Sequence, residues 1–177
     1  SINDSQSKAE YDALLANGEN ITAALMSLAL QNLGLEARSL QAWQVPIKTN
    51  SNFANSFIEE IPTELLQSLL DKGIIPVIAG FQGLENNGRI TTLGRGGSDI
   101  TAVAIAASIG ANRCDIYTDV AGIFTADPRF VPNAQKIDYI DYEAMLEFSI
   151  LGAKVLHYRA VKCEPEEHFN AIVTFLN

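Results

Sequence analysis

A chain of 177 residues has the length of one ordinary domain, and with 47% apolar residues it can build a sizeable core, which excludes wholesale disorder. Twelve Lys and Arg against 21 Asp and Glu leave a net charge of −9, an argument against a nucleic-acid or anionic-membrane surface. No uninterrupted apolar run reaches the roughly 18–20 residues that span a bilayer.

Residues 1–10 read as a polar tail or loop. Residues 19–33 follow as a helix so apolar that burial on most sides is expected, stopped at Gly34. Residues 38–47 suggest strand and turn, broken by Pro46, and 49–56 a polar loop. Thr63 caps a second helix over 64–72, which Gly73 ends. Residues 74–79 look like a short, fully buried strand. Asn86-Asn87-Gly88 marks a hairpin turn into a β-branched strand over 89–93. A glycine-rich turn leads to a helix over 98–109, closed by Gly110, and a strand over 114–118 comes next. A long loop runs through Pro132, helices follow over 142–148 and 150–161, and a last strand covers 171–175. Strands alternating with helices at these lengths imply an α/β sandwich with a largely parallel sheet, in one domain without linker or internal repeat.

Cys114 and Cys163 are too few for a disulfide framework and read as buried, reduced thiols. With a polar N-terminal stretch that lacks an apolar signal segment, they point to a cytoplasmic location. His157 and His168 have no second His or Cys at ligand spacing, so no metal site is expected from the protein side chains.

Chemistry concentrates in Leu93-Gly94-Arg95-Gly96-Gly97-Ser98-Asp99, which follows a strand and opens a helix. Glycines let the backbone approach a ligand closely, and the first-turn N–H groups of a helix favour an anion. Ser98 suits the N-cap and Asp99 the first turn, as in any tight βα turn. That plainer reading leaves Arg95, a bidentate donor among three glycines, unexplained. The pattern is neither a Walker A loop nor a dinucleotide fingerprint, so on spacing alone the ligand stays open.

A second cluster runs from Tyr117 to Arg129, beginning at the carboxyl end of a strand, where open α/β sheets place ligands. Thr118 and Asp119 offer polar groups there, Phe124 a surface for a base, and Arg129 a phosphate partner; taken alone, a surface loop with a turn at Asp127-Pro128 explains them as well. Lys154, near a helix start, and Glu19, in the first turn of an apolar helix, are each equally compatible with a plain surface role.

In combination these segments resemble the aspartate kinases of the amino-acid-kinase superfamily, from about residue 10 to 161. The resemblance rests on Asn17-Gly18-Glu19, Trp43-Gln44, Val77 through Gly83, Thr91 through Asp99, Tyr117 through Arg129 and Gly152-Ala153-Lys154-Val155-Leu156. It implies a three-layer α/β sandwich of the carbamate-kinase-like kind. It also implies phosphoryl transfer from Mg2+-ATP to the side-chain carboxylate of L-aspartate, giving 4-phospho-L-aspartate on the route to lysine, methionine and threonine.

By the same resemblance Glu19 holds the substrate ammonium and Arg95 the α-carboxylate, with Gly96, Gly97 and Ser98 facing the accepting carboxylate. Asp99, with Arg95, is implied in catalysis. Thr118, Asp119, Phe124, Asp127, Arg129, Lys154 and Val155 fall on nucleotide positions. The alternatives are a glutamate or N-acetylglutamate kinase of the superfamily, or a non-catalytic subunit or binding module. The family's opening Lys-Phe-Gly-Gly-Thr-Ser strand and its C-terminal ACT domains find no match. The chain is therefore expected to be a partial catalytic domain, inactive alone, from an enzyme that forms homo-oligomers.

Overall fold

The computed structural model describes residues 7–118, 123–137 and 171–175. Helix α1 (Lys8–Asn32) opens the described chain and starts well before the expected position 19. Gly18 does not interrupt it, because a single glycine inside a long helix costs only about 0.5–1 kcal/mol. The buried residues of α1 are Ala9, Asp12, Ala16, Ala23 and Ser27, a stripe of small side chains that brings the helix backbone close to its support. Its large apolar residues point elsewhere: Leu14, Ile21, Leu25 and Leu28 are each 57–61% exposed. The expectation of a helix buried on most sides is thus corrected, since only one face meets the sheets. By length and composition alone α1 is long and apolar enough to cross a bilayer, which uninterrupted runs did not suggest.

Strand β1 (Ala37–Leu40) follows α1 and packs against it. The next strands are β2 (Lys48–Thr49) and β3 (Ile58–Glu60), with helix α2 (Glu64–Leu70) after them. Thr63 stands at the N-cap of α2 but makes no side-chain cap hydrogen bond. Strand β4 (Ile75–Ile78) pairs in parallel with β1, Ala37 facing Ile75. It is less buried than expected, Ile75 being 37% exposed.

The hairpin at 85–88 joins β5 (Gln82–Leu84) to β6 (Ile90–Thr92), antiparallel as expected, and the four strands order as β3-β2-β5-β6. Helix α3 (Gly97–Ser108) leads to β7 (Cys114–Thr118), where the sequence placed a strand. The loop expected through Pro132 contains β8 (Ile123–Phe124), which pairs antiparallel with β9 (Lys136–Ile137) just beyond it. Strand β10 (Ala171–Phe175) lies parallel to β7, Ala171 facing Cys114. The helices expected over 142–148 and 150–161 lie outside the described residues.

The architecture is α/β, with two parallel pairs and one mixed sheet among the described strands. Leu40, Val45, Ile47, Ile61, Leu66 and Leu69 form a core cluster between β1, α2 and the intervening turns. Each helix ends on a glycine at positive φ, Gly34, Gly73 and Gly110. At α1 the N–H groups of Gly34 and Leu35 turn back to the carbonyls of Gln31 and Leu30, at 2.9 and 3.1 Å.

Candidate functional site

β6 delivers the chain to Gly94-Arg95-Gly96 and α3 takes it up at Gly97. Gly96, with φ +72, is the N-cap, a left-handed position that a serine would hold only with strain. Ser98, expected to cap, sits inside the first turn instead and is exposed. Gly97 is buried because Phe81 and Leu93 press on it. Phe81 itself has φ +68, rare for an aromatic residue, and its neighbours hold it there. Its N–H donates to Thr101 Oγ1 at 3.0 Å and its carbonyl accepts the Leu93 N–H at 2.9 Å.

This turn forms one wall of an open cleft of about 410 Å3, within the range usual for small-molecule sites. Glu19, Tyr11 and Leu15 of α1 supply the opposite wall, and Ala54, Phe81 and Thr92 line the remainder. Five expected site residues therefore meet in one place: Glu19, Arg95, Gly96, Gly97 and Ser98. One acid and one guanidinium at the same cleft suit a ligand carrying one charge of each sign.

Asp99 is not among the lining residues. Its charge lies close enough to Cys114, at the start of β7, to add to the rise of that thiol's pKa, of which burial is the main cause and Asp115 the second. Phe124, Asp127 and Arg129 stand on β8 and the turn after it, away from the cleft lining. Arg129 is engaged by Asp127 in a two-pronged pair, Nε to Oδ1 at 3.0 Å and Nη2 to Oδ2 at 2.6 Å, which raises its already high pKa. Thr118 closes β7. Asp119, Lys154 and Val155 lie outside the described residues. No cluster of three His, Cys, Asp or Glu suited to a metal occurs among the described residues.

Sequence reasoning passed over Asp12 and Thr92. Asp12 is fully buried and hydrogen-bonded to Thr92, one of the cleft-lining residues. The signal was available as the small-residue stripe Ala9, Asp12, Ala16 at helical spacing, which marks the face turned to the sheet.

Compared with known proteins, the model of the amino acid kinase family matches residues 2–173. The chain belongs to the amino acid kinase family. Among the relatives of this amino acid kinase, an aspartokinase of Rickettsia prowazekii is 57% identical over 92% of the chain. Aspartokinase 2 of Bacillus subtilis is 53% identical over 91%. The chain spans 36% and 40% of the length of these two relatives. Among solved structures, E. coli aspartokinase III in complex with aspartate and ADP superposes with a TM-score of 0.89 at 34% identity, over 97% of this chain and 39% of that one. Aspartate kinase from Synechocystis gives 0.79 at 42% identity, over 98% and 28%.

Proposed function

We propose that the protein carrying this chain transfers the γ-phosphoryl group of ATP to the side-chain carboxylate of L-aspartate, forming 4-phospho-L-aspartate. The observation that carries this reading is the meeting of Glu19 and Arg95 at one cleft beside the glycine turn that opens α3. The similarity to an aspartokinase solved with aspartate and ADP supports it.

In this reading the Glu19 carboxylate accepts hydrogen bonds from the substrate ammonium, and the Arg95 fork donates two to the α-carboxylate. The headgroup so fixed leaves the side-chain carboxylate to face Gly96, Gly97 and Ser98, where first-turn N–H groups and the helix dipole favour an anion. A carboxylate held in place attacks the γ-phosphorus in line, and ADP leaves. Little covalent work falls to the protein, so positioning and charge neutralisation supply the rate. Thr118, Asp119, Phe124, Asp127, Arg129, Lys154 and Val155 are assigned to the nucleotide, with Lys154 and Arg129 on its phosphates.

Mg2+, when bound, draws charge from the phosphate oxygens. No protein side chain is assigned to hold it, and Asp99, in the first turn of α3, keeps the catalytic role that the resemblance implies.

A substrate panel tests the proposal. The protein is supplied with Mg2+-ATP and L-aspartate, L-glutamate or N-acetyl-L-glutamate, and acyl phosphate is trapped as the hydroxamate. Hydroxamate from L-aspartate alone is expected; formation from either other acid at a comparable rate refutes the assignment.

A further inference from the structure

Asp12 has no exposed surface, and the site chemistry above makes no use of it. Its Oδ2 accepts the backbone N–H groups of Ala54 and Thr92, each at 2.8 Å, and its Oδ1 accepts the Thr92 hydroxyl at 2.9 Å. A buried carboxylate with three donors is firmly held, and its loss takes the acceptor shown for the Ala54 and Thr92 N–H groups and the Thr92 hydroxyl.

The partners lie 42 and 80 residues away along the chain, and both Ala54 and Thr92 line the cleft. Asp12 is two turns before Glu19 on α1, and Thr92 is three residues before Arg95. One side chain thus joins the wall that carries Glu19, the loop that carries Ala54 and the strand that leads to Arg95. Ala54 has φ +68, a conformation an alanine keeps only where its surroundings fix it.

The seating of α1 does not depend on Asp12 alone. Gln82 of β5 donates its Nε2 to the Ala16 carbonyl at 3.2 Å and to Asn20 Oδ1 at 3.0 Å, on the same helix face. Loss of Asp12 would therefore loosen Ala54 and Thr92 against a helix that stays in place.

We propose that Asp12 is a positioning residue: it fixes the span between Glu19 and Arg95 and the wall at Ala54, and so sets the length of the acidic amino acid the cleft accepts. This rests on the reading of the cleft as an L-aspartate site. A headgroup held at a defined depth puts the side-chain carboxylate at a defined reach, and one methylene separates aspartate from glutamate. A pocket distinguishes one methylene by about 10- to 200-fold at most, and a small misplacement erodes that quickly.

Isothermal titration of the protein carrying this chain with L-aspartate and with L-glutamate tests this for the native form, Asp12→Ala and Asp12→Asn, with thermal melts as the fold control. Asp12→Ala is expected to weaken L-aspartate about tenfold and to lower the aspartate-over-glutamate preference by about tenfold. Asp12→Asn, whose carbonyl still accepts the N–H groups and whose amide can donate to the Thr92 hydroxyl, is expected to keep the preference within about threefold. An unchanged preference in a folded Asp12→Ala, or equal weakening of both ligands that asparagine does not rescue, overturns the proposal while the L-aspartate site stands. A native chain that binds no L-aspartate overturns that site and this proposal together. Should Asp12→Ala not fold, Thr92→Val removes only the hydroxyl donated to Oδ1. A fall of about threefold in preference is then expected, and no change overturns the proposal.

Discussion

Replacing Gly97 by alanine sets two known effects against each other. The residue lies in the first turn of α3 without positive φ, so alanine can adopt its backbone and gains about 0.5–1 kcal/mol of helix preference. The added Cβ, however, would stand 2.7 Å from Phe81 Cδ2, 3.1 Å from Leu93 Cβ and 3.2 Å from Phe81 Cα. The last is backbone, so rotating the ring does not relieve the crowding and Phe81 must shift as a whole. Overpacking of this kind costs about 1–3 kcal/mol, which leaves a net loss on the order of 0.5–2 kcal/mol. At about 2–4 °C per kcal/mol for a chain of this size, the melting temperature should fall by roughly 1–8 °C. Because Phe81 and Gly97 both line the cleft, L-aspartate affinity should fall about tenfold as well. Gly18→Ala is the matched control: nothing lies within 4 Å of its Cβ, so melting should rise by a few degrees. Differential scanning calorimetry and aspartate titration read both. A Gly97→Ala chain that melts at or above the native temperature and binds aspartate normally would refute the steric argument.

Arg95→Ala in the protein carrying this chain should cost roughly ten- to hundredfold more aspartate-dependent turnover than Arg38→Ala or Arg113→Ala, and Arg95→Lys should also be damaging, because an ammonium lacks the planar fork. Equal, small losses for the three arginines would remove Arg95 from the site. Arg129→Ala and Lys154→Ala should each weaken ATP more than L-aspartate in separate binding titrations, and intact ATP affinity would return both to plain surface roles. The Glu85 carboxylate is held below its ordinary value of 4.5, chiefly by the Arg89 N–H, then by the Asn87 N–H and side-chain amide, with Arg89's charge assisting. A lowered folded-state pKa contributes stability above the unfolded value that is lost as pH falls through the folded one. Amide protection in the β5–β6 turn, taken relative to the intrinsic exchange rate at each pH, should therefore fall below about pH 4.5, the ordinary value, and Glu85→Gln should flatten that dependence.

The parts of the fold that were legible in the sequence are those where a local rule decides alone. Asn87-Gly88 gave the hairpin, glycines gave all three helix ends, and the β-rich stretch at Cys114–Thr118 gave β7. The errors arose where tertiary packing decides. Large apolar residues on α1 suggested enclosure, yet the sheets take up its small side chains because only those allow close approach of the helix backbone. Ser98 has the chemistry of an N-cap, but the helix starts two residues earlier, at a left-handed position that Gly96 occupies. Arg95 already pointed to an anion, whereas Glu19 was compatible with a plain surface role, and it is their meeting at one cleft that pairs the two charges. Asp12 escaped notice because its two partners, Ala54 and Thr92, lie in distant segments of the chain.

Among the described residues, those lining the cleft run from Tyr11 to Ser98, while β10 must return from the far end of the chain to join β7. At a synthesis rate of about 5–20 residues per second, the residues lining this cleft have been synthesised some seconds before β10 exists. Its long-range bonds, Asp12 to Thr92 and Gln82 to Ala16, can close in that interval, whereas the β7–β10 pair must wait until residues 171–175 have been synthesised. A ligand that binds the early-closed cleft would stabilise the nascent chain by mass action, so the free amino-acid pool could influence the yield of folded protein as well as its turnover.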